Sequence, residues 1–218
     1  MKKKIIIAVA ILAAIAVVGG AALFIIGRNK SAENKAEPLT MLNDDVSVDV
    51  LIPYTGKYVE DGSDAETENV AAVRITNNGE TNYQYIEFTV TTDKATYSFT
   101  ASSIHAGTTH TVLEKNKMTM TANEKVAGSE LTLNSCYFEE PSLHEDTVGI
   151  YESHGVLNIQ NKSEKDIKNA VVYYKQTDEN GFLGGITYRT TLDSIKAGET
   201  KQFNSEHFDK VVNITYEQ

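Results

Sequence analysis

The sequence predicts an all-β protein: two tandem antiparallel β-sandwich (Ig-like) domains following one N-terminal transmembrane helix. Three observations carry this expectation. Residues Ile5 to Ile26 are 22 consecutive positions without a charged or strongly polar side chain. Beyond them, apolar residues alternate with polar ones in short runs separated by turn residues, and no run holds a helical period. Finally, a block of the chain recurs at a nearly constant offset.

The apolar run comes first. As a helix, its 22 residues rise about 33 Å at about 1.5 Å per residue, enough for a hydrocarbon core of about 30 Å. Met1-Lys2-Lys3-Lys4 precedes it, and three lysines favour the cytoplasmic side. A cleaved signal peptide opens in the same way, and Ile5 to Val18 followed by Gly19-Gly20-Ala21-Ala22 fits its shorter apolar region and small-residue exit. The uninterrupted length favours an uncleaved anchor. Residues 1–4 are then a cytoplasmic tail, 5–26 the single-pass anchor from Ile5 to Ile26, and 27–43 a polar linker containing Pro38. All that follows is expected outside the cell membrane.

From Asp45 the period is two. Val46, Val48, Val50 and Ile52 mark a half-buried strand that Pro53-Tyr54-Thr55-Gly56 is expected to break. Residues 61–69 read as an acidic loop, followed by a strand with Ala71, Val73 and Ile75 on one face and a turn at Asn77-Asn78-Gly79-Glu80. In the next strand Ile86, Phe88 and Val90 point inward, with Tyr85, Glu87 and Thr89 toward water. Tyr97 and Phe99 continue the pattern after a turn at Asp93-Lys94. Val112 with Leu113, Met118 with Met120, and Leu131 with Leu133 read as further short strands.

The recurring block strengthens the fold expectation. Residues 73–80 (Val-Arg-Ile-Thr-Asn-Asn-Gly-Glu) align with residues 157–164 (Leu-Asn-Ile-Gln-Asn-Lys-Ser-Glu) at an offset of 84, and residues 103–110 align with 194–201 at an offset of 91. The seven extra residues fall in the hairpin around Asp178-Glu179-Asn180-Gly181, where insertion costs little. Two homologous β domains, 44–125 and 129–218, explain this pattern economically.

At these residues a family resemblance enters. A strand, Asn-x-[Ser/Gly], a second strand and a hairpin, then Ile195-Lys196-Ala197-Gly198-Glu199-Thr200 with Phe203, resemble the small all-β FxLYD-type domains of bacterial surface proteins and lipoproteins. The likeness covers residues 155–203, and more faintly 70–112. In place of the family's aromatic-Leu-Tyr-Asp core this chain has Val172-Tyr173-Tyr174-Lys175. The resemblance implies an extracytoplasmic sandwich without established enzymatic activity, and it transfers no functional residues.

Composition narrows the chemistry. The net charge is −10, but residues 1–30 hold five of the 20 basic residues and none of the 30 acidic ones, which leaves −15 beyond them. Such a surface repels nucleic acid. The single cysteine, Cys136, allows no intramolecular disulfide and is expected to be a buried thiol. The acidic loop from Asp61 to Glu68 offers hard oxygens for Ca²⁺ without the spacing of an EF-hand, and a solvated loop is the simpler reading. His105 and His110 match Lys196 and Lys201 in the repeat and are expected to be exposed. His144, His154 and His207 have no metal-ligand spacing. Asn161 and Asn213 stand in glycosylation patterns. Neither a nucleophile elbow nor a phosphate loop occurs.

No catalytic residue, cofactor or metal site is therefore expected. The chain reads as an anchored, non-catalytic interaction or structural module whose partner is the membrane together with a protein or cell-wall component. The alternative is a cell-wall polymer or glycan-binding module, using Tyr83, Tyr85, Tyr173 and Tyr174 as wet-face aromatic platforms. A metal-dependent hydrolase ranks third.

Overall fold

The computed structural model describes residues 37–218 apart from residue 154, so the anchor expected from Ile5 to Ile26, the tail before it and His154 lie outside the described residues. Among the described residues there is no helix long and apolar enough to cross a membrane. The protein is all-β, with β1 (Thr40–Met41), β2 (Val46–Tyr58), β3 (Ala65–Asn77), β4 (Tyr83–Thr92), β5 (Thr96–Ile104), β6 (Thr109–Leu113) and β7 (Val126–Cys136) in its first half. The second half contributes β8 (Val148–Ser153), β9 (Val156–Asn161), β10 (Ile167–Asp178), β11 (Gly181–Ile195), β12 (Thr200–Asn204) and β13 (Lys210–Glu217).

The same pairings occur twice. In the first half β2, β3 and β6 form one layer and β5, β4 and β7 another; in the second half β8, β9 and β12 answer to β11, β10 and β13. Apolar alternation brings the layers together, as in a β-sandwich. Ile75 of β3, Phe88 of β4 and Phe99 of β5 share one core, and Ile159 of β9, Val172 of β10 and Ile214 of β13 share a second. All six are buried. β7 crosses the expected division at 125–129 and pairs with β4 over most of its length.

The repeat extends to individual hydrogen bonds. Asn77 Nδ2 donates to the carbonyls of Thr81 and Ile104, and Asn161 Nδ2 donates to those of Lys165 and Ile195. The Gly107 N–H reaches the Asn77 carbonyl as the Gly198 N–H reaches that of Asn161. The Ala106 N–H bonds Asn82 Oδ1 as the Ala197 N–H bonds Asp166 Oδ1. Each Asn thus pins the end of one strand to the turn after another, which is why the Asn positions recur in the sequence. Fully buried and bonded in this way, Asn161 cannot carry a glycan, and Asn213 is 8% exposed.

Several local expectations are corrected. β2 does not break at Pro53, which sits within it opposite Ala71. β1 covers β2 only at Ser47 and Val48, so Pro53 has an open edge where its missing N–H is not needed. β1 itself falls in the stretch expected to be linker. β3 starts at Ala65, inside the presumed acidic loop, because the ladder with β2 continues from Tyr54 through Tyr58. Both faces of β3 are covered: Ala71, Val73 and Ile75 meet the main core, whereas Val70 and Ala72 join Tyr58, Val59 and Leu113 in a smaller cluster. Met118–Met120 is no strand but a single bridge, Thr119 to Val70. Cys136 is exposed, since β7 pairs on one side only and ends there.

Candidate functional site

The two halves meet where the hairpin insertion lies. β11 has 15 residues against nine in its counterpart β5, and its additional length places Phe182 and Leu183 parallel to His110 and Thr111 of β6. One seven-stranded sheet, β1-β2-β3-β6-β11-β10-β13, results. The insertion expected to be a tolerated loop is thus the clasp between the repeats. It closes because β11 carries Gly184 at φ +84° and Gly185, whose position leaves no room for a side chain: a Cβ there would lie 1.9 Å from the Thr100 carbonyl oxygen. The β10–β11 register shifts between Tyr174 and Gln176, as required to accommodate the unmatched residues.

A buried lysine and a partly buried carboxylate sit inside the clasp. Lys175 is 0% exposed, and its Nζ donates to the carbonyl oxygens of Ile186 at 2.9 Å, Ser102 at 3.0 Å and Gly185 at 3.3 Å. Two of these acceptors belong to β11 and one to β5, so one ammonium group ties the halves together. Burial pulls the Lys175 pKa down to about 7, with the Glu60 carboxylate opposing. Glu60 accepts from the N–H groups of Leu113, Gly185 and Ile186; burial raises its pKa, while those bonds and Lys175 act in the other direction.

His110 and His105 correct the expectation of exposure. His110 is fully buried, its ring 5.0 Å from that of Phe182, and burial followed by the Lys175 charge holds its pKa well below the usual histidine value. His105 is partly buried against Tyr137. The matching Lys201 is on β12, which has no neighbour on its outer side among the described residues. The pattern of the repeat is the same at both places, but only β6 is covered by another strand.

The acidic segment also belongs to this junction. Asp64 Oδ2 lies 3.3 Å from His207 Nε2, and the His207 ring stacks on Tyr188 at 4.4 Å. Asp61 is drawn down to about 2 by the Ser63 hydroxyl and then by Lys117. Among the described residues no three His, Cys, Asp or Glu side chains gather as metal ligands would.

An open cleft of about 680 Å³ lies between the halves. One wall carries a row across three strands: Ser102 of β5, Tyr85 of β4 and Ser135 of β7. The other carries the row Arg189 of β11, Tyr173 of β10 and Asn213 of β13. The walls are linked by a 2.8 Å hydrogen bond between the hydroxyls of Ser102 and Thr187, both part of the lining. Tyr137 lines it as well, its hydroxyl donating to Ser103. The Arg189 side chain is exposed and has neither an ion-pair nor a hydrogen-bond partner among the described residues.

The four tyrosines singled out from the sequence separate here. Tyr85 and Tyr173 are partly exposed and line this one cleft from opposite walls. Tyr83 and Tyr174 are not wet-face residues: each is 5% exposed. The Tyr83 hydroxyl donates to Asp45 and accepts from Asn43, and the Tyr174 ring packs among Tyr188, Phe203 and Phe208. Tyr173 and Tyr174 are consecutive on β10, so alternation sends one outward and the other into the core. Sequence reasoning missed Arg189, Lys175 and Glu60. Only Lys175 left a trace, as a lysine in the stretch resembling a family core motif. No protein-family model matches the chain, and no curated protein matches it.

Proposed function

We propose that the chain is a non-catalytic recognition module, anchored in the cell membrane by Ile5 to Ile26, that presents two tandem Ig-like β-sandwiches outside the cell and binds a partner in the cleft between them. The observation that carries this reading is the cleft itself. Its walls come from both repeats, and the clasp around Lys175 holds them in one arrangement. A preformed concave site of several hundred Å³ between packed units is the usual setting for recognition. The anchor and the outside location rest on the length of the apolar run and the lysines before it. The resemblance to FxLYD-type surface domains favours the same role. A catalytic reading has less support: the group closest in character to a general base, Lys175, is fully enclosed, so no substrate reaches its Nζ.

A photo-crosslinking residue at Tyr173 of the full chain, activated in intact cells, tests the reading. The expected result is an adduct that is absent when the same residue replaces Lys201 on β12. Equal labelling from both positions, or none from Tyr173, refutes the cleft as a recognition site.

A further inference from the structure

We propose that the cleft between the repeats takes an anionic saccharide, with a sugar ring against Tyr173 and Tyr85 and its carboxylate or phosphate on Arg189. The inference rests on the recognition reading above and adds the chemistry of the ligand.

Two independent features point to this class. The first is the kind of apolar surface offered. Tyr85, Tyr137, Tyr173 and Phe138 supply aromatic rings, Ser, Thr, Gln and Asn supply short polar groups, and no aliphatic side chain lines the cleft among the described residues. A sugar needs flat rings for its C–H faces, with hydroxyl and amide groups at the edges for its own hydroxyls. Tyr173 meets this demand directly, since its cross-strand neighbours are Arg189 on one side and Asn213 on the other.

The second feature is charge. Arg189 is a guanidinium without a partner among the described residues, on a chain that is strongly acidic beyond residue 30. Its planar donor fork matches a carboxylate or a phosphate in two-point contact. The only carboxylate in the lining is Glu139, and Lys175 is sealed behind the backbone carbonyls it bonds. The exposed guanidinium suits an anionic group, and the acidity of the chain beyond residue 30 repels a long polyanion.

The test titrates the full chain, in neutral detergent, with three probes observed by saturation-transfer NMR: methyl glucuronide, methyl glucoside and glucose 6-phosphate. The glucuronide, the phosphate or both should bind at least about tenfold more tightly than the glucoside, and Arg189→Gln should remove that preference. Which of the two anions is preferred tells carboxylate from phosphate. Tyr173→Ala should abolish binding of all three probes, and Lys201→Gln should leave it unchanged. The proposal is overturned if glucoside binds as well as the anionic sugars, if Arg189→Gln leaves affinity intact, or if no probe binds. If no probe binds while the crosslinker at Tyr173 still captures a cellular partner, the ligand assignment falls and the recognition reading stands. Failure of both experiments removes both.

Discussion

Lys175→Met is the sharpest test of the clasp. The substitution keeps the aliphatic stem and removes the ammonium, so packing survives while the carbonyls of Ser102, Gly185 and Ile186 lose a shared donor. Each stranded buried acceptor costs roughly 1–3 kcal/mol, and the Glu60 carboxylate loses a favourable nearby charge. Relief from burying the amine offsets part of this at neutral pH, so the expected loss at pH 7 is about 3 kcal/mol, or about 6–12 °C in Tm for a chain of this size. The pH dependence has a definite sign. The folded-state pKa of Lys175 is depressed to about 7, below the value of about 10.4 in an unfolded chain. Above pH 7 the unfolded chain therefore binds more protons, and the stability contributed by Lys175 grows with pH until the unfolded pKa is passed. The gap between wild type and Lys175→Met should widen from pH 7 to pH 9 by at most about 1.4 kcal/mol per unit. Urea denaturation of the full chain at three pH values measures it. Adding Glu60→Gln to Lys175→Met should recover part of the loss, because the partly buried carboxylate that Lys175 favoured is then neutral as well. A single variant within 1 kcal/mol of wild type at every pH would refute the argument.

Other outcomes follow from the same geometry. Gly185→Ala forces a Cβ toward the Thr100 carbonyl at 1.9 Å and should cost more than the roughly 1–3 kcal/mol of ordinary overpacking, seen as separate unfolding transitions for the two halves in calorimetry. Asn77→Ala removes three side-chain bonds and Asn161→Ala four, two in each case to backbone carbonyls, so each should lower stability by roughly 1–3 kcal/mol. A loss at one position with none at the other in denaturant titrations would show that the repeats do not share this device. Cys136, exposed at the end of β7, should react with a maleimide in the native chain at a rate close to that of the unfolded chain. A thiol that labels only in denaturant would restore the buried reading.

Much of the fold was legible because its causes are local. Ile86, Phe88 and Val90 alternate along one strand, and all three are buried. The matched Asn77 and Asn161 signal a duplicated unit because each makes the same bonds inside its own repeat. Errors appeared where the outcome depends on a neighbouring strand that the local sequence does not name. Pro53 suggests an end to β2, yet it is tolerated because nothing among the described residues pairs beyond it. Tyr83 and Tyr174 have the composition of wet-face residues, yet their register sends them inward.

The sequence by itself determined the all-β class, the repeat and its offsets, the acidity, and the presence of an extra seven residues in the second hairpin. What those residues do was decided only by the tertiary structure. Alternation is a property of one strand, whereas the burial of His110, the enclosure of Lys175 beside Glu60, and the meeting of Tyr85 with Tyr173 across a cleft depend on which edge the longer β11 reaches. The corresponding β12 edge stays open, and there Lys201 keeps its partial exposure. Equivalent positions thus acquired different environments from a contact between units far apart in the chain, and local pattern holds no record of it.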